Sequence, residues 1–285
     1  MELYTRTYPS LSLQLAQYFG ITLPILDHST LNEALEIQTG ASLGTNELPR
    51  VSYFCIGNRG HASETGINDF PLFTNKIHRA RDTGFFNQIP FVLRPVDNDL
   101  TPQERADYGL RKIIDKNGSL YVGYYAKRID KTGLSIKVEN RNIDAQQNVT
   151  ITPFVPSSDD LKPEPVDLSN GGVNTVKGKY ISSTVSLIIP ITAFDAEEII
   201  NACEILFGSQ YYALISEMAL VSGVDRNISV SDCFGGVFNF NEVICAQIAD
   251  HIPVIQPVFS QRGGFTIAAE VGGVEPLLNL SLVNP

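Results

Sequence analysis

The sequence predicts an α+β fold with mixed, mainly antiparallel strands and several short helices. Runs of β-branched and aromatic residues, which are typical of strands, occur in both halves of the 285-residue chain. Segments with helix-capping residues and apolar side chains at helical spacing lie among them. The two kinds of segment show no regular βαβ alternation, and this favours α+β over a doubly wound sheet.

Two α+β portions, residues 1–150 and 179–285, are expected, joined by a linker or extended arm at residues 151–178. The arm is inferred from its content of proline, serine and aspartate. Its prolines are Pro153, Pro156, Pro163 and Pro165. Two interpretations of the arm stay open, because it could be mobile in a free monomer or lie along a neighbouring subunit in an assembly.

In the N-terminal portion, strands are predicted where apolar β-branched and aromatic residues lie between turn residues. These strands cover residues 51–57, 89–95, 120–129 and 134–139. A helix is predicted at residues 9–20, with Ser10 as its cap and Gly20 as its end, although the early alternation also permits a strand. Residues 32–38 are predicted to form a helical turn, and residues 61–75 a loop because they lack periodicity.

Thr101 begins the clearest helix of the N-terminal portion. A proline occupies the first helical position after it and Glu104 the third, the pattern of a capped helix start. The helix is expected to continue to about Ile114. Asp97 and Asp99 have the spacing of calcium ligands, but the residues after them do not include the glycine and terminal glutamate of a calcium-binding loop. We therefore interpret the two aspartates as caps of this helix.

In the C-terminal portion, residues 194–208 have the strongest helix pattern, with Asp195 as cap, acidic residues in the first turn and Gly208 at the end. Further helices are predicted at residues 211–221 and 241–250. Strands are predicted at residues 180–191, 252–258 and 265–269.

Composition restricts the classes of function. Charged residues make up 18% of the chain and the formal net charge is −10. No apolar run approaches the roughly 18 residues that cross a bilayer, and the first residues lack a secretory pattern, so we expect neither membrane association nor secretion. Positive charge predominates only in residues 50–141, where it is interleaved with acids, and this argues against a nucleic-acid surface. The positive charge of residues 50–141 beside the negative charge of residues 142–285 instead suits head-to-tail contact between identical or different subunits.

The sequence contains no recognisable metal or cofactor motif. The four cysteines are too far apart for CxxC pairs and lie in apolar contexts, so buried reduced thiols are expected. The four histidines, at positions 28, 61, 78 and 251, have no zinc-binding spacing. No cofactor is therefore expected.

Two short segments carry the chemistry that an enzyme would need. Residues 57–61, Gly-Asn-Arg-Gly-His, follow a strand as a phosphate loop would, but they lack the P-loop spacing and are interpreted as a structural turn. His78, Arg79, Arg81 and Asp82 offer a base, two cations and an acid, which we interpret as loop salt bridges or an interface clamp. No catalytic residue is assigned.

Four segments resemble a family of virion structural proteins of large tailed bacteriophages with contractile tails. They are residues 53–61 (YFCIGNRGH), 78–95 (HRARDTGFFNQIPFVLRP), 98–106 (NDLTPQERA) and 215–226 (ISEMALVSGVDR). The resemblance implies a non-enzymatic subunit of the virion, made in the host cytoplasm, in the neck and tail region or in the baseplate. Its implied partners are other virion proteins and further copies of itself in a ring or repeated array.

The residues expected to contact other subunits lie in two places. Arg79, Arg81 and Arg94 are candidates in the N-terminal portion, and the arm contributes a second group. That group consists of Pro156, Asp159, Asp160 and Pro163. The alternative functions are a baseplate component, a hydrolase that uses His61, His78 and Asp82 with Arg79, and a DNA-binding connector.

Overall fold

The computed structural model describes residues 4–65, 71–162, 175–231 and 236–278, and these residues form an α+β fold. The helices are α1 (Tyr8–Phe19), α2 (Leu31–Ala34), α3 (Pro102–Arg105) and α4 (Ala193–Phe207). The first strands are β1 (Thr5–Arg6), β2 (Arg50–Gly57), β3 (His61–Thr65), β4 (Pro71–Asn75), β5 (Gln88–Ile89), β6 (Val92–Pro95), β7 (Tyr108–Lys116) and β8 (Ser119–Arg128). The remaining strands are β9 (Ile136–Ile143), β10 (Val149–Pro153), β11 (Thr175–Ile191), β12 (Leu214–Ser231), β13 (Val237–Pro257) and β14 (Phe265–Leu278).

The strands form three sheets. The largest has the order β1-β13-β12-β2-β8-β6, with β5 paired to β2 and β7 paired to β8. A four-stranded sheet has the order β10-β9-β11-β14, and β3 and β4 form a hairpin. All the strand pairs whose register is described are antiparallel, as the sequence predicted.

The chain divides into two compact units, and both are discontinuous in sequence. The first contains residues 1–129 and 190–265, and the second contains residues 130–189 and 266–285. These boundaries differ from the expected portions because β12 pairs with β2, so the second half of the chain extends a sheet begun by the first half. The expected arm begins within β10, which ends at Pro153, and runs into β11.

The core of the first unit lies between strands of the large sheet and the helices. One buried cluster contains Tyr53, Leu110, Ala126, Val221 and Val243, which come from β2, β7, β8, β12 and β13. A smaller cluster, built on Leu13, Ala16 and Leu23, packs the inner face of α1. β12 is buried from residue 215 to residue 223 and β13 from residue 242 to residue 252, and in these stretches both faces carry apolar residues.

The longest helices begin and end at identifiable caps. Thr7 caps α1 by accepting the backbone N–H of Ser10, and Gly20 ends it in the left-handed conformation. The predicted helix is confirmed, but its cap is Thr7 and not Ser10. Thr192 caps α4 in a reciprocal pair with Asp195, which is therefore the third helical residue, and not the cap.

Two predicted helices, at residues 211–221 and 241–250, are wrong. Apart from a short 3₁₀ turn at Gln210–Tyr212, these segments belong to β12 and β13. A strand buried on both faces is apolar at nearly every position, and its pattern then also satisfies helical spacing.

Two predictions in the first half also need correction. Thr101 and Glu104 form the reciprocal cap of α3, but this helix ends at Arg105 and Tyr108–Lys116 is the strand β7. The predicted loop at residues 61–75 contains the β3–β4 hairpin.

The strands predicted at residues 51–57 and 120–129 are confirmed as β2 and β8. In the described part of the chain, no helix has the length and hydropathy needed to cross a membrane.

Candidate functional site

A cluster of polar contacts in the first unit surrounds Glu217 near the start of β12. Its side chain is buried, and its carboxylate accepts hydrogen bonds from three donors. Oε2 lies 3.0 Å from Nε2 of His78 and 3.0 Å from the backbone N–H of Phe86. Oε1 accepts the backbone N–H of Asn87 at 2.9 Å. The sequence analysis gave Glu217 no role, because a single acid within the apolar run 214–221 matches no catalytic or metal-binding motif.

Two glycines leave the space that Glu217 occupies. A Cβ atom at Gly57 would lie 2.5 Å from Oε1 of Glu217. A Cβ atom at Gly60 would lie 2.6 Å from the Cβ of Glu217 and 2.3 Å from the carbonyl oxygen of Ser216. All three distances are shorter than any real contact of this kind, so the turn at residues 57–60 must keep its glycines for β12 to pass beside it. The turn therefore has a packing role.

His78 lies between two aromatic rings. Its imidazole stacks on His251 at a centroid distance of 3.7 Å and on Phe86 at 4.2 Å. His251 is buried, and its Nε2 lies 3.0 Å from the carbonyl oxygen of Asp82. Because a carbonyl oxygen only accepts, Nε2 of His251 carries the hydrogen.

The protonation states follow from these contacts. Burial pushes the pKa of Glu217 upward, but the hydrogen bonds from His78, Asn87 and Phe86 outweigh burial and hold the pKa below its usual value. Burial lowers the pKa of His251 to about 4, with a further contribution from the adjacent His78. At neutral pH Glu217 is therefore a carboxylate, His251 is neutral, and Nε2 of His78 donates to Glu217.

Only part of the predicted hydrolytic set is brought together. Nδ1 of His78 lies 3.9 Å from the carboxylate of Asp82. That carboxylate already accepts the backbone N–H of Arg79 at 2.8 Å and pairs with its guanidinium at 3.2 Å. His61 lies in β3, edge-on to Phe73 at 5.5 Å, and no hydrogen bond joins it to His78 or Asp82 among the residues described. Of the three residues, only His78 and Asp82 are therefore brought within 4 Å of each other.

The geometry of the cluster is that of an internal clamp. The interactions of Glu217 and His251 tie the segment from residue 78 to residue 87 onto β12 and β13. In these hydrogen bonds His78 and His251 use Nε2, and Glu217 uses both carboxylate oxygens, so they fix the positions of all three side chains. Within the described ranges, no three His, Cys, Asp or Glu side chains are grouped so that they could hold a metal ion.

Comparison with known proteins places the whole chain in one family. A family of unknown function (DUF7208) has a model that matches residues 1–284. The chain belongs to this family. No curated protein and no solved structure matches it.

The three arginines that the sequence analysis predicted as interface residues have different surroundings in the structure. Arg79 is exposed and pairs with Asp82, and Arg81 is also exposed. Arg94 is tied inside the first unit, because its guanidinium lies 2.6 Å from the carboxylate of Glu198 and thereby joins β6 to α4. Arg79 and Arg81 are therefore the arginines of this set that remain available to a partner.

The predicted arm residues lie in the second unit. Pro156, Asp159 and Asp160 are exposed, the two aspartates in a short 3₁₀ turn. Asp160 also accepts the backbone N–H of Ser157 at 2.6 Å, so it stabilises this turn. Pro163 lies outside the described residues.

Two other sequence interpretations can be compared with the structure. Asp99 does not cap α3, because its carboxylate accepts the hydroxyl of Tyr124 at 2.7 Å and pairs with Arg111 at 3.3 Å. The cysteines expected to be buried and reduced are so at positions 55, 203 and 245. Cys233 lies outside the described residues.

Proposed function

We propose that this chain is a structural subunit of a contractile-tailed phage particle, which assembles through protein–protein contacts in the neck and tail region. The resemblance of residues 53–61, 78–95, 98–106 and 215–226 to phage virion proteins supports this proposal. A second, independent support is the exposed apolar surface of the second unit. A baseplate position is the alternative within the same class.

The four-stranded sheet exposes apolar side chains on both of its faces. Ile136 and Val138 of β9 are 71% and 40% exposed, and Val149 and Ile151 of β10 are 55% and 50% exposed. In the register of the sheet Ile151 is opposite Arg141, so the apolar residues of β10 share a face with the odd-numbered residues of β9. Ile136 and Val138 therefore point to the opposite face.

The apolar faces of this sheet are expected to pack against another layer of protein. Sheets in stable domains bury at least one face against another layer. Among the described residues of the second unit, the apolar side chains that are buried are Leu187, Ile189 and Ala269. Every residue of the edge strand β10 is exposed, and the backbone groups on the side away from β9 can pair with another chain. These exposed apolar faces are the observation that carries the proposal, because contact with another subunit would bury them.

The proposal is tested on particles. Virions from a culture that produces this chain would be purified, and the chain located by mass spectrometry and gold-labelled antibody. We expect several copies in each particle, with label where the tail joins the head. Label at the distal end of the tail would place the chain in the baseplate, and absence of the chain from the particles would refute the proposal.

A matched pair of variants tests the sheet itself. Ile151→Lys places a charge on the exposed apolar face, whereas Gln146→Lys places the same charge in the exposed turn before β10. We expect I151K to be excluded from particles when wild-type chain competes, and Q146K to be incorporated normally. Equal melting temperatures would show that both variants fold, and equal incorporation of I151K would contradict a role for this sheet in assembly.

A further inference from the structure

Helix α1 has a second apolar stripe on its outer side. Its inner side, with Leu13 and Ala16, is buried in the small core cluster. The outer side carries Leu11, Leu15, Tyr18 and Phe19, which are 50%, 56%, 84% and 64% exposed. Residues three, four, seven and eight apart lie on one face of a helix, so these four side chains form one continuous surface, the outer stripe of α1.

The outer stripe lies in a segment without charge. No Asp, Glu, Lys or Arg occurs from residue 7 to residue 26, although the chain has 52 such residues, 21 basic and 31 acidic. The exposed side of a surface helix normally carries charged residues. An exposed helix that lacks them, and that presents Leu and aromatic side chains instead, has the composition of an interface.

The size of the stripe can be compared with what a stable contact needs. If each of these side chains has roughly 200 Å² when fully exposed, the four together expose on the order of 500 Å². This is as large as the largest apolar patch on a typical monomer, about 300–600 Å². Two such stripes in contact would bury about 1,000 Å² before any flanking residue is counted, which reaches the lower limit for a specific interface.

We propose that the outer stripe of α1 binds the same stripe of a second copy of this chain, with the two helices antiparallel about a two-fold axis. In a two-fold contact each surface meets itself, so a charge at the axis would meet its own sign. The uncharged stripe has no such repulsion, and antiparallel helix dipoles attract weakly. This contact belongs to the first unit and does not depend on the proposed place in a phage particle.

The proposed dimer is tested with the purified protein by sedimentation equilibrium over a range of concentrations. The wild-type chain is expected to form dimers. Leu15→Glu, near the middle of the stripe, is expected to weaken dimerisation at least 30-fold with no change in melting temperature, because the Leu15 side chain is 56% exposed. Gln14→Glu adds the same charge to the same helix beside the stripe and is expected to change dimerisation less than 3-fold.

A mixing experiment separates self-contact from any other explanation. Leu15→Glu and Leu15→Lys should each be monomeric alone, and a mixture of the two should restore dimers, because opposite charges then meet near the two-fold axis. A wild-type chain that stays monomeric at 100 µM or more, about the concentration at which a weak dimer would appear, would overturn the proposal. Dimers of L15E as stable as wild type, or a mixture that stays monomeric, would also overturn it.

Discussion

Nε2 of His78 lies 3.0 Å from Oε2 of Glu217, and this hydrogen bond joins two segments that are 139 residues apart in the sequence. His78 belongs to the segment that offered a base, two cations and an acid. In the folded chain its Nε2 donates to a buried carboxylate that two backbone amides also hold. The contact therefore fixes the position of a long connection on the large sheet, and it is the first target for mutation.

Glu217→Gln should destabilise the protein. A glutamine side chain has a single acceptor oxygen, so its amide group would face at least one of the N–H groups of Phe86 and Asn87. We expect a loss of about 1–3 kcal/mol in the free energy of unfolding at pH 7, measured by urea denaturation. Because the pKa of Glu217 is lowered by folding, its stabilisation is present above the unfolded pKa and is lost as pH falls through the folded pKa. The difference between variant and wild type should therefore shrink in acid, and equal stability at pH 7 would contradict the clamp.

Glu242→Gln should have the opposite effect. Glu242 is buried, its Oε2 has no partner among the described residues, and burial raises its pKa to about 7, despite a hydrogen bond from Gln38 and the charge of Arg111. The unfolded carboxyl releases its proton near pH 4.5, so the raised folded pKa makes stability fall as pH rises from about 4.5 to 7.

Glutamine does not ionise, so Glu242→Gln removes this dependence of stability on pH. We expect E242Q at pH 8 to be as stable as wild type or more stable by about 1–3 kcal/mol, and its stability to vary less between pH 5 and 8. Urea denaturation at several pH values measures both. A loss of stability at pH 8 as large as that of E217Q would contradict the assigned protonation state.

Gly60→Ala should be strongly destabilising, and Gly84→Ala should be nearly neutral. A Cβ atom at Gly60 would overlap the backbone of β12, whereas a Cβ atom at Gly84 has no atom within 4 Å. We expect G60A to cost at least about 1–3 kcal/mol, as overpacked positions do. G84A should stay within about 0.5 kcal/mol of wild type in the same denaturation assay. Similar stabilities for the two variants would show that β12 does not pass as close to the turn as described.

Arg94 should contribute to stability and Arg79 should not. Arg94 and Glu198 are 22% and 14% exposed and make a two-point contact, while the side chain of Arg79 is 68% exposed. A double-mutant cycle with Arg94→Ala and Glu198→Ala should give a coupling energy of about 1 kcal/mol. Arg79→Ala should change stability by less than about 0.5 kcal/mol. A coupling energy of zero would show that Glu198 does not hold Arg94 in place, and Arg94 would then be available to a partner.

Local signals determined several elements of this protein. The end of α4 at Gly208, the reciprocal cap at Thr101 and the strands β2 and β8 follow from capping residues, glycine and β-branched content. The capping contacts lie within a few residues of one another, and the β-branched and aromatic content of a strand is a local property, so a short window of sequence contains the information.

The tertiary structure alone decided the conformation of β12 and β13 and the role of Glu217. In the middle of a large sheet both faces of a strand are covered, so the apolar pattern loses the alternation that distinguishes a strand from a buried helix. Glu217 is held by His78, Phe86 and Asn87, which reach it only because β12 pairs with β2. Contacts between segments more than a hundred residues apart depend on the register of the whole sheet, and no local sequence pattern encodes that register.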